Sequence, residues 1–494
     1  MNLSQYTRTK MEAPQNSGCK QVTLLPHQIE NYDRVVEIAH KSHVILDSSD
    51  RGRGKSFTAL KMAQDFGLSL TVVCPVAVID NWKAYIAEYG LEEVAVISYH
   101  SLRGARGKTK HPLLNIREGE YYVSEDFRAE VERGTLLVFD EVHNLMNETA
   151  QNKAAHCLTK TIIKEDSCSR VLCLSATPCC RERHCFPLMK AMGLCNSSSL
   201  YYYDNVARMY VVEGYGYQEL IEKARKINPT LTLEIYSSIG LSNKTSSELC
   251  YRLFTEVFLP GIRTSMPPDT NITVDAKLGL YNFHPNDVDT LKRAYGAIFA
   301  SVDTDGVLRA NITKPCRMIG MACVPTISRL AQQDIALGRK VVIFAEYNDV
   351  IEALKVNLAQ HSPLVLSGKT PQGQRSHMVS LFNQTNMDFP VIISNPRVGG
   401  VGIELDDKHG GFPRKTYLIP SYYFIDSIQA AGRTSRANTR STPIVRIVEC
   451  NQFSENTKIL SSIIQKSIIV KTIVGNNNIV LPSDYPRVNE EDDN

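Results

Sequence analysis

The 494-residue sequence has one tryptophan, Trp82, and no apolar run approaching the ~18 residues needed to cross a bilayer. No membrane partner is therefore expected. The opening stretch, MNLSQYTRTKMEAPQNSG, lacks the apolar core of a secretory signal and reads as a flexible arm over residues 1–19. The chain is therefore expected inside a cell, cytoplasmic or nuclear, or in a virion if it is viral. Charge of one sign is also missing: 55 basic against 52 acidic residues leave a net +3, which neither demands nor excludes a nucleic-acid partner. Cysteine is present thirteen times, yet the count is odd and no export signal accompanies it, so the thiols are expected to stay reduced. The one dense cluster, CCRERHC with Cys179, Cys180, His184 and Cys185, lacks paired CxxC spacing, which argues against structural zinc.

What remains is a globular composition, 43% hydrophobic and 22% charged, long enough for about three domains at roughly 150 residues each. Short β-rich runs recur in two groups. The first holds HVILDS, LTVVCP, VAVISY, TLLVFDE and RVLCLSATP, and the second KVVIFAEY, PLVLSG, PVIISN, KTYLIP and PIVRIVEC. Each run is bounded by turn residues or followed by a helical period, the pattern of parallel strands with crossover helices. The expected fold is α/β: two tandem domains over 20–195 and 321–475. Residues 196–320 lose the rhythm and read as an insertion or linker subdomain, helical near 284–300, and the acidic segment 476–494 reads as disordered.

The run HVILD leads into SSDRGRGKS, and FTALKMAQDFG continues with helical spacing of Phe57, Leu60, Ala63 and Phe66. Strand, loop and helix in that order describe a phosphate-binding loop. Gly52 and Gly54 permit a tight path beside Arg53, Lys55 would reach the terminal phosphates of ATP, and Ser56 would hold Mg2+. Ser49 stands where GxxxxGK[ST] has its first glycine, matching the AxxGxGK[ST] variant seen in helicases. The bland alternative is a basic glycine turn.

TLLVFDEVHNL adds an acid pair at a strand end. Asp140 would hold Mg2+ and Glu141 would orient the attacking water; a helix cap with a solvated charge is the structural alternative. His143 would sense the nucleotide or the neighbouring domain; a packed histidine is the bland alternative. In LCLSATP, Ser175 and Thr177 end another strand and would couple the acid pair to the second domain. QAAGRTSRANT spaces Gln429, Arg433 and Arg436 near helical intervals, so the two arginines would share a face suited to polyphosphate; a solvated basic face with ion pairs is the alternative. SNPRVGGVGIEL brings Gly399, Gly400 and Gly402 after a strand, where backbone can approach a ligand closely; a tight turn is the bland alternative and, for this motif alone, the stronger one.

GRGKS, DEVH, SATP, NPRVGGVGIEL and QAAGRTSR, in this order, resemble the motifs of superfamily 2 helicases of the DExH kind. The resemblance covers about residues 20–195 and 325–475. It implies two RecA-like domains with ATP in the cleft and a nucleic-acid strand crossing both, and it gives Lys55, Ser56, Asp140, Glu141, Arg433 and Arg436 their family roles. LLPHQIENYDRV is similar to the segment in which Swi/Snf-like translocases carry an adenine-contacting glutamine, here Gln28. CPVAVIDNWKAYIAEYG, with Trp82, extends that likeness. Helicase-like triphosphatases of large DNA viruses that act in transcription, and strawberry-notch-like proteins, are similar in arrangement. Ser435 and the ending ANT depart from the Swi/Snf pattern, and they bear on the subfamily only.

LRGARGKTKHP, with Arg103, Arg106, Lys108 and Lys110, is a basic loop that would neutralise phosphates; a solvated loop is the alternative. Nothing resembles a separate base-reading module, so backbone tracking with little sequence specificity is expected. Duplex DNA is the favoured track and RNA the alternative in the same class. Transcription or genome remodelling within a larger complex is the expected setting, and a non-hydrolysing nucleic-acid scaffold is the alternative from another class.

Overall fold

Side-chain alternation with a period of two builds both sheets. The computed structural model describes residues 20–104, 112–165, 167–197, 202–204, 209–211, 215–239, 246–267, 273–301, 311–399, 403–422, 424–435, 439–452, 458–475 and 481–493. The chain forms two units, Met1–Pro268 with Ile469–Asn477, and Asp269–Ile468 with Asn478–Asn494.

In the first unit helix α1 (Pro26–Lys41) precedes β1 (Val44–Asp47), α2 (Lys55–Phe66), β2 (Ser69–Cys74), α3 (Ile79–Glu88) and β3 (Glu93–Ser98). A hairpin, β4 (Leu114–Arg117) and β5 (Glu120–Val123), follows, then β6 (Thr135–Asp140), β7 (Arg170–Leu174), the short pair β8 (Tyr202–Asp204) and β9 (Met209–Val211), and β10 (Arg263–Thr264). Six of these make one sheet in the order β10-β1-β7-β6-β2-β3, parallel throughout. Val44, Leu46, Val73, Leu137, Phe139, Val171 and Cys173 join the core on one face. Ile45, Leu70, Val72, Leu136, Val138, Leu172 and Leu174 join the core on the other. Helices cover both faces, so the strands read as near-continuous apolar runs.

The second unit repeats the plan with β11 (Asp275–Tyr281), β12 (Lys340–Phe344), β13 (Leu364–Leu366), β14 (Val391–Ser394), β15 (Arg414–Leu418), β16 (Ile444–Cys450) and β17 (Arg487–Asn489). Their order is β13-β14-β12-β15-β16-β11-β17, again all parallel. Two parallel-sheet α/β domains are thus present, and all ten apolar runs read from the sequence are strands.

The domain limits differ from the expected ones. Residues 196–320 are not one inserted subdomain. The helices Tyr215–Ile227, Pro229–Ile239 and Ser246–Arg252, and the π-helical turn Leu253–Phe258, pack Leu220, Ile235, Leu249 and Phe254 into the first core, and β10 extends its sheet. By contrast β11 lies inside the second sheet between β16 and β17, followed by the helix Pro285–Ala300 near its expected place. Residues 469–475 belong with the first unit, where Arg263 Nη1 donates to the Ile473 carbonyl at 2.8 Å. The acidic tail is ordered over 481–493: β17 pairs with β11, and Asp493 is buried against Arg446 and Lys415. A charge count cannot show that buried cations await those acids. The expected arm over 1–19 lies outside the described residues. No described helix is long and apolar enough to cross a membrane.

Candidate nucleotide site

The loop after β1 takes a path that only glycine adopts easily at two points, Gly52 at φ 72° and Gly54 at φ 84°. A Cβ on Gly54 would collide with the amide of Gln28, whose Nε2 donates to the Arg53 carbonyl at 3.0 Å while its Oε1 accepts from Leu25 N at 2.8 Å. Gln28 therefore braces the loop from α1. Helix α2 begins at Lys55 with no side chain capping it; Phe57 N donates to the Gly54 carbonyl at 2.9 Å, and the N–H groups of Lys55 and Ser56 with the positive helix end are left to an anion at the loop. Lys55 Nζ reaches back and donates to the carbonyls of Ser49 at 2.9 Å and Asp50 at 3.0 Å. Ser56 follows, half-buried, in the same first turn.

Beneath the loop lies a polar network that motif reading did not reveal. Asp47, fully buried at the end of β1, accepts from Ser49 N at 2.9 Å, from Ser49 Oγ, and from Asn31 Nδ2 at 3.1 Å. Asn31 Oδ1 in turn accepts from Thr264 Oγ1 at 2.7 Å, and Ser49 Oγ accepts from Met266 N at 2.7 Å. The loop is thus tied to α1 and to the segment of β10. A buried carboxylate with three donors is stable where an unpaired one would cost several kcal/mol.

The acid pair ends β6, two strands from β1. Trp82 Nε1 in α3 donates to Asp140 Oδ2 at 2.9 Å, and Tyr99 OH donates to the Asp140 carbonyl at 2.8 Å. Burial, and next the neighbouring Glu141 charge, push the Asp140 carboxyl up to about 6, against the pull of the Trp82 hydrogen bond, Lys55 and His143. Glu141 has left-handed backbone, φ 59°, unusual for a non-glycine residue and a feature that clusters at functional sites. Its Oε2 lies 3.3 Å from His143 Nδ1 and accepts from Ser175 Oγ at 3.4 Å, and His143 Nδ1 and Ser175 Oγ are 3.2 Å apart. Thr177 N donates to Ser175 Oγ at 3.1 Å, while the buried Thr177 Oγ1 has no hydrogen-bond partner among the described residues. Ser175 N donates to the Asp47 carbonyl at 3.1 Å, which closes the circuit from β7 to β1. Loop, acid pair and SAT segment therefore meet at the carboxyl ends of adjacent parallel strands, where open α/β sheets hold ligands.

In the second unit, Gln429 lies buried in the helix Phe424–Ala431, with its Nε2 lacking a hydrogen-bond partner among the described residues. The helix stops at Ala431, and Arg433 is buried in the turn beyond, where its carbonyl accepts from Leu405 N at 3.0 Å. Arg436 and Gly402 lie outside the described residues, as do Arg106 and Lys108. Arg103 is exposed, its Nη2 3.1 Å from His100 Nε2, and its carbonyl accepts from Tyr121 OH at 2.9 Å.

ATP and Mg2+ fit the first-unit residues: the glycine-lined loop leaves helix N–H groups open, Lys55 is held on carbonyls that phosphate oxygens can replace, and Asp140 Oδ1 has no hydrogen-bond partner among the described residues.

No family model matches the chain. An inferred ATP-dependent RNA helicase of Acanthamoeba polyphaga mimivirus is 25% identical over 468 residues, 91% of this chain and 83% of that protein. The chain is homologous to superfamily 2 helicase-type ATPases. That likeness along most of the chain supports an ATP hydrolase of the helicase or translocase type. A shorter stretch of 87 residues, 17% of this chain and 8% of the other, is 36% identical to the SWI/SNF-related matrix-associated actin-dependent regulator of chromatin subfamily A containing DEAD/H box 1 of Mus musculus. The Sulfolobus solfataricus SWI2/SNF2 ATPase core in complex with dsDNA aligns over 91% of this chain and 97% of that one, at 14% identity and a TM-score of 0.31.

Proposed function

We propose that this superfamily 2 ATPase is a nucleic-acid-stimulated motor that tracks along duplex DNA, working in transcription or genome processing. The observation that carries the reading is the acid pair held at a strand end beside the lysine loop, with Glu141 engaged by both His143 and Ser175. Magnesium ATP, when bound, supplies the phosphoanhydride whose cleavage drives the cycle. Lys55 would exchange its loop carbonyls for phosphate oxygens, Ser56 and Asp140 would hold the cation, and Gln28 would keep the loop shaped beside the base. Glu141 would orient the attacking water, its carboxylate aimed by Ser175 and His143. Arg433 and Arg436 would supply positive charge to the transferring phosphoryl group, and Gln429 and Gly402 would line the same site by their motif positions.

DNA is favoured by the Swi/Snf-like segments around Gln28 and Trp82 and by the stretch shared with a chromatin regulator. RNA is the second reading, supported by the name of the mimivirus relative that matches along most of the chain. Arg103, with Arg106 and Lys108, would contact the backbone of either.

The test is ATP turnover without polymer and with duplex DNA, single-stranded DNA or RNA, for wild type and Glu141→Gln. We expect duplex DNA to stimulate wild type most, and the variant to lose on the order of 10²-fold or more in turnover while still binding ATP, since the water loses its orienting carboxylate. Greatest stimulation by RNA would transfer the assignment to RNA. Turnover that survives in Glu141→Gln would remove Glu141 from the chemistry.

A further inference from the structure

We propose that Trp82 is a positioning residue of the metal site, fixing the Asp140 carboxylate so that Oδ1 alone is presented to a divalent cation. The inference rests on the reading of Asp140 as the metal carboxylate. Trp82 is the only tryptophan of the chain and is 2% exposed, so its indole N–H is removed from water and needs an acceptor. That acceptor is Asp140 Oδ2, at 2.9 Å. Indole donates and never accepts, and it carries no charge. It can therefore set a carboxylate's orientation without neutralising it, whereas a lysine or arginine in the same place would compete with the cation. Tyr99 OH, from the short helix Tyr99–Leu102, holds the Asp140 carbonyl at 2.8 Å. Asp140 is thus fixed at backbone and side chain by two separate elements, and the oxygen left over is Oδ1.

Groups that orient a metal ligand without touching the metal typically change affinity roughly 10- to 100-fold when removed. A packing residue would change only stability, which gives the two roles different readouts.

The experiment uses the full chain with ADP kept below the protein concentration, Mn2+ added, and bound ion counted by electron paramagnetic resonance. Trp82→Phe keeps a buried ring and removes the N–H. We expect its Mn2+ dissociation constant to rise about 10-fold, and the Mg2+ concentration giving half-maximal turnover to rise in parallel, by a larger factor than the turnover rate falls. Unchanged Mn2+ affinity with a lowered melting temperature would overturn the proposal and leave Trp82 a packing residue. Should Trp82→Phe not fold, the wild-type chain supplies the test, because all tryptophan emission comes from Trp82. Mn2+ should quench that emission in the ADP complex more than Mg2+ does, and Asp140→Asn should abolish the difference; emission indifferent to both cations would overturn the proposal. Asp140→Asn with wild-type Mn2+ affinity would show instead that the underlying metal assignment is wrong, a result distinct from failure of Trp82 alone.

Discussion

At the scale of single residues, the nucleotide loop depends on a side chain that carries no motif. Asn31 gives a hydrogen to Asp47 and takes one from Thr264, so a single side-chain amide links the carboxylate under the loop to the β10 segment. Asn31→Ala strips Asp47 of one of three donors and leaves Thr264 Oγ1 without its acceptor. We expect a loss of about 1–3 kcal/mol in the first unit, read from urea unfolding followed by Trp82 emission. Asn31→Asp should cost more, because it sets a second carboxylate against the fully buried Asp47. An Asp variant no worse than the Ala variant at pH 8 would show that the network does not carry the loop. The motif residues themselves were legible because their spacing repeats a chemical requirement: glycines for positive φ, a lysine for phosphate, acids at a strand end. Asp47 and Asn31 were not, since a buried Asp in a strand and an Asn in a helix acquire meaning only when folding brings them to 3.1 Å.

At the scale of elements, strands with uninterrupted apolar runs announced themselves, and the others did not. β11, DAKLGLY, alternates Ala276, Leu278 and Leu280 with Lys277 and Gly279, and β10 is two residues long. Neither presents a run that a window can detect, so both fell into the supposed insertion. The helix carrying Gln429 ended before Arg433 for a similar reason: periodic spacing continued into Gly432 and Thr434, although the backbone did not. β16 holds a further hidden feature. Glu449 is buried there, its Oε1 lacks a hydrogen-bond partner among the described residues, and burial pushes its carboxyl from 4.5 up to about 7, against the pull of Arg487. A raised carboxyl means the folded unit binds the proton more tightly than the unfolded chain. The second unit is therefore favoured most below pH about 4.5, loses stability as pH rises from there, and bears the full penalty above about 7. That penalty is on the order of 3 kcal/mol at most. Glu449→Gln should remove it, so its advantage over wild type in urea unfolding should be small at pH 5 and largest at pH 8. Parallel stability curves for the two proteins across that range would show that Glu449 titrates as an ordinary glutamate.

At the scale of the whole molecule, the acidic tail is a structural part of the second unit. A parallel sheet covered on both faces is a poor place for cations, yet Lys415 and Arg446 lie buried in β15 and β16. They are tolerated because acids from distant parts of the sequence converge on them. Arg446 meets Asp275 at 2.6 Å and Asp493 at 2.5 Å, and Lys415 meets Asp493 at 3.2 Å and Asp334 at 3.4 Å. Tyr281 and Tyr417 add hydroxyl donors to Asp493 and Asp334 at 2.6 and 2.5 Å. Removing one member of such a group leaves uncompensated buried charge, typically about 3–5 kcal/mol, more than the same pairs would contribute at a surface. Asp493→Ala should accordingly move the circular-dichroism transition in guanidinium to lower denaturant, while leaving β17 free to pair with β11 through its backbone. Asp492→Ala, one residue away and exposed, is the matched control and should leave the transition in place, because a solvated carboxylate compensates nothing buried. Equal behaviour of the two variants would mean that Lys415 and Arg446 are satisfied by Asp275 and Asp334 alone. A difference of the expected size would make the last turn of the chain part of the second sheet's electrostatic balance, which a count of tail charges reads as disorder.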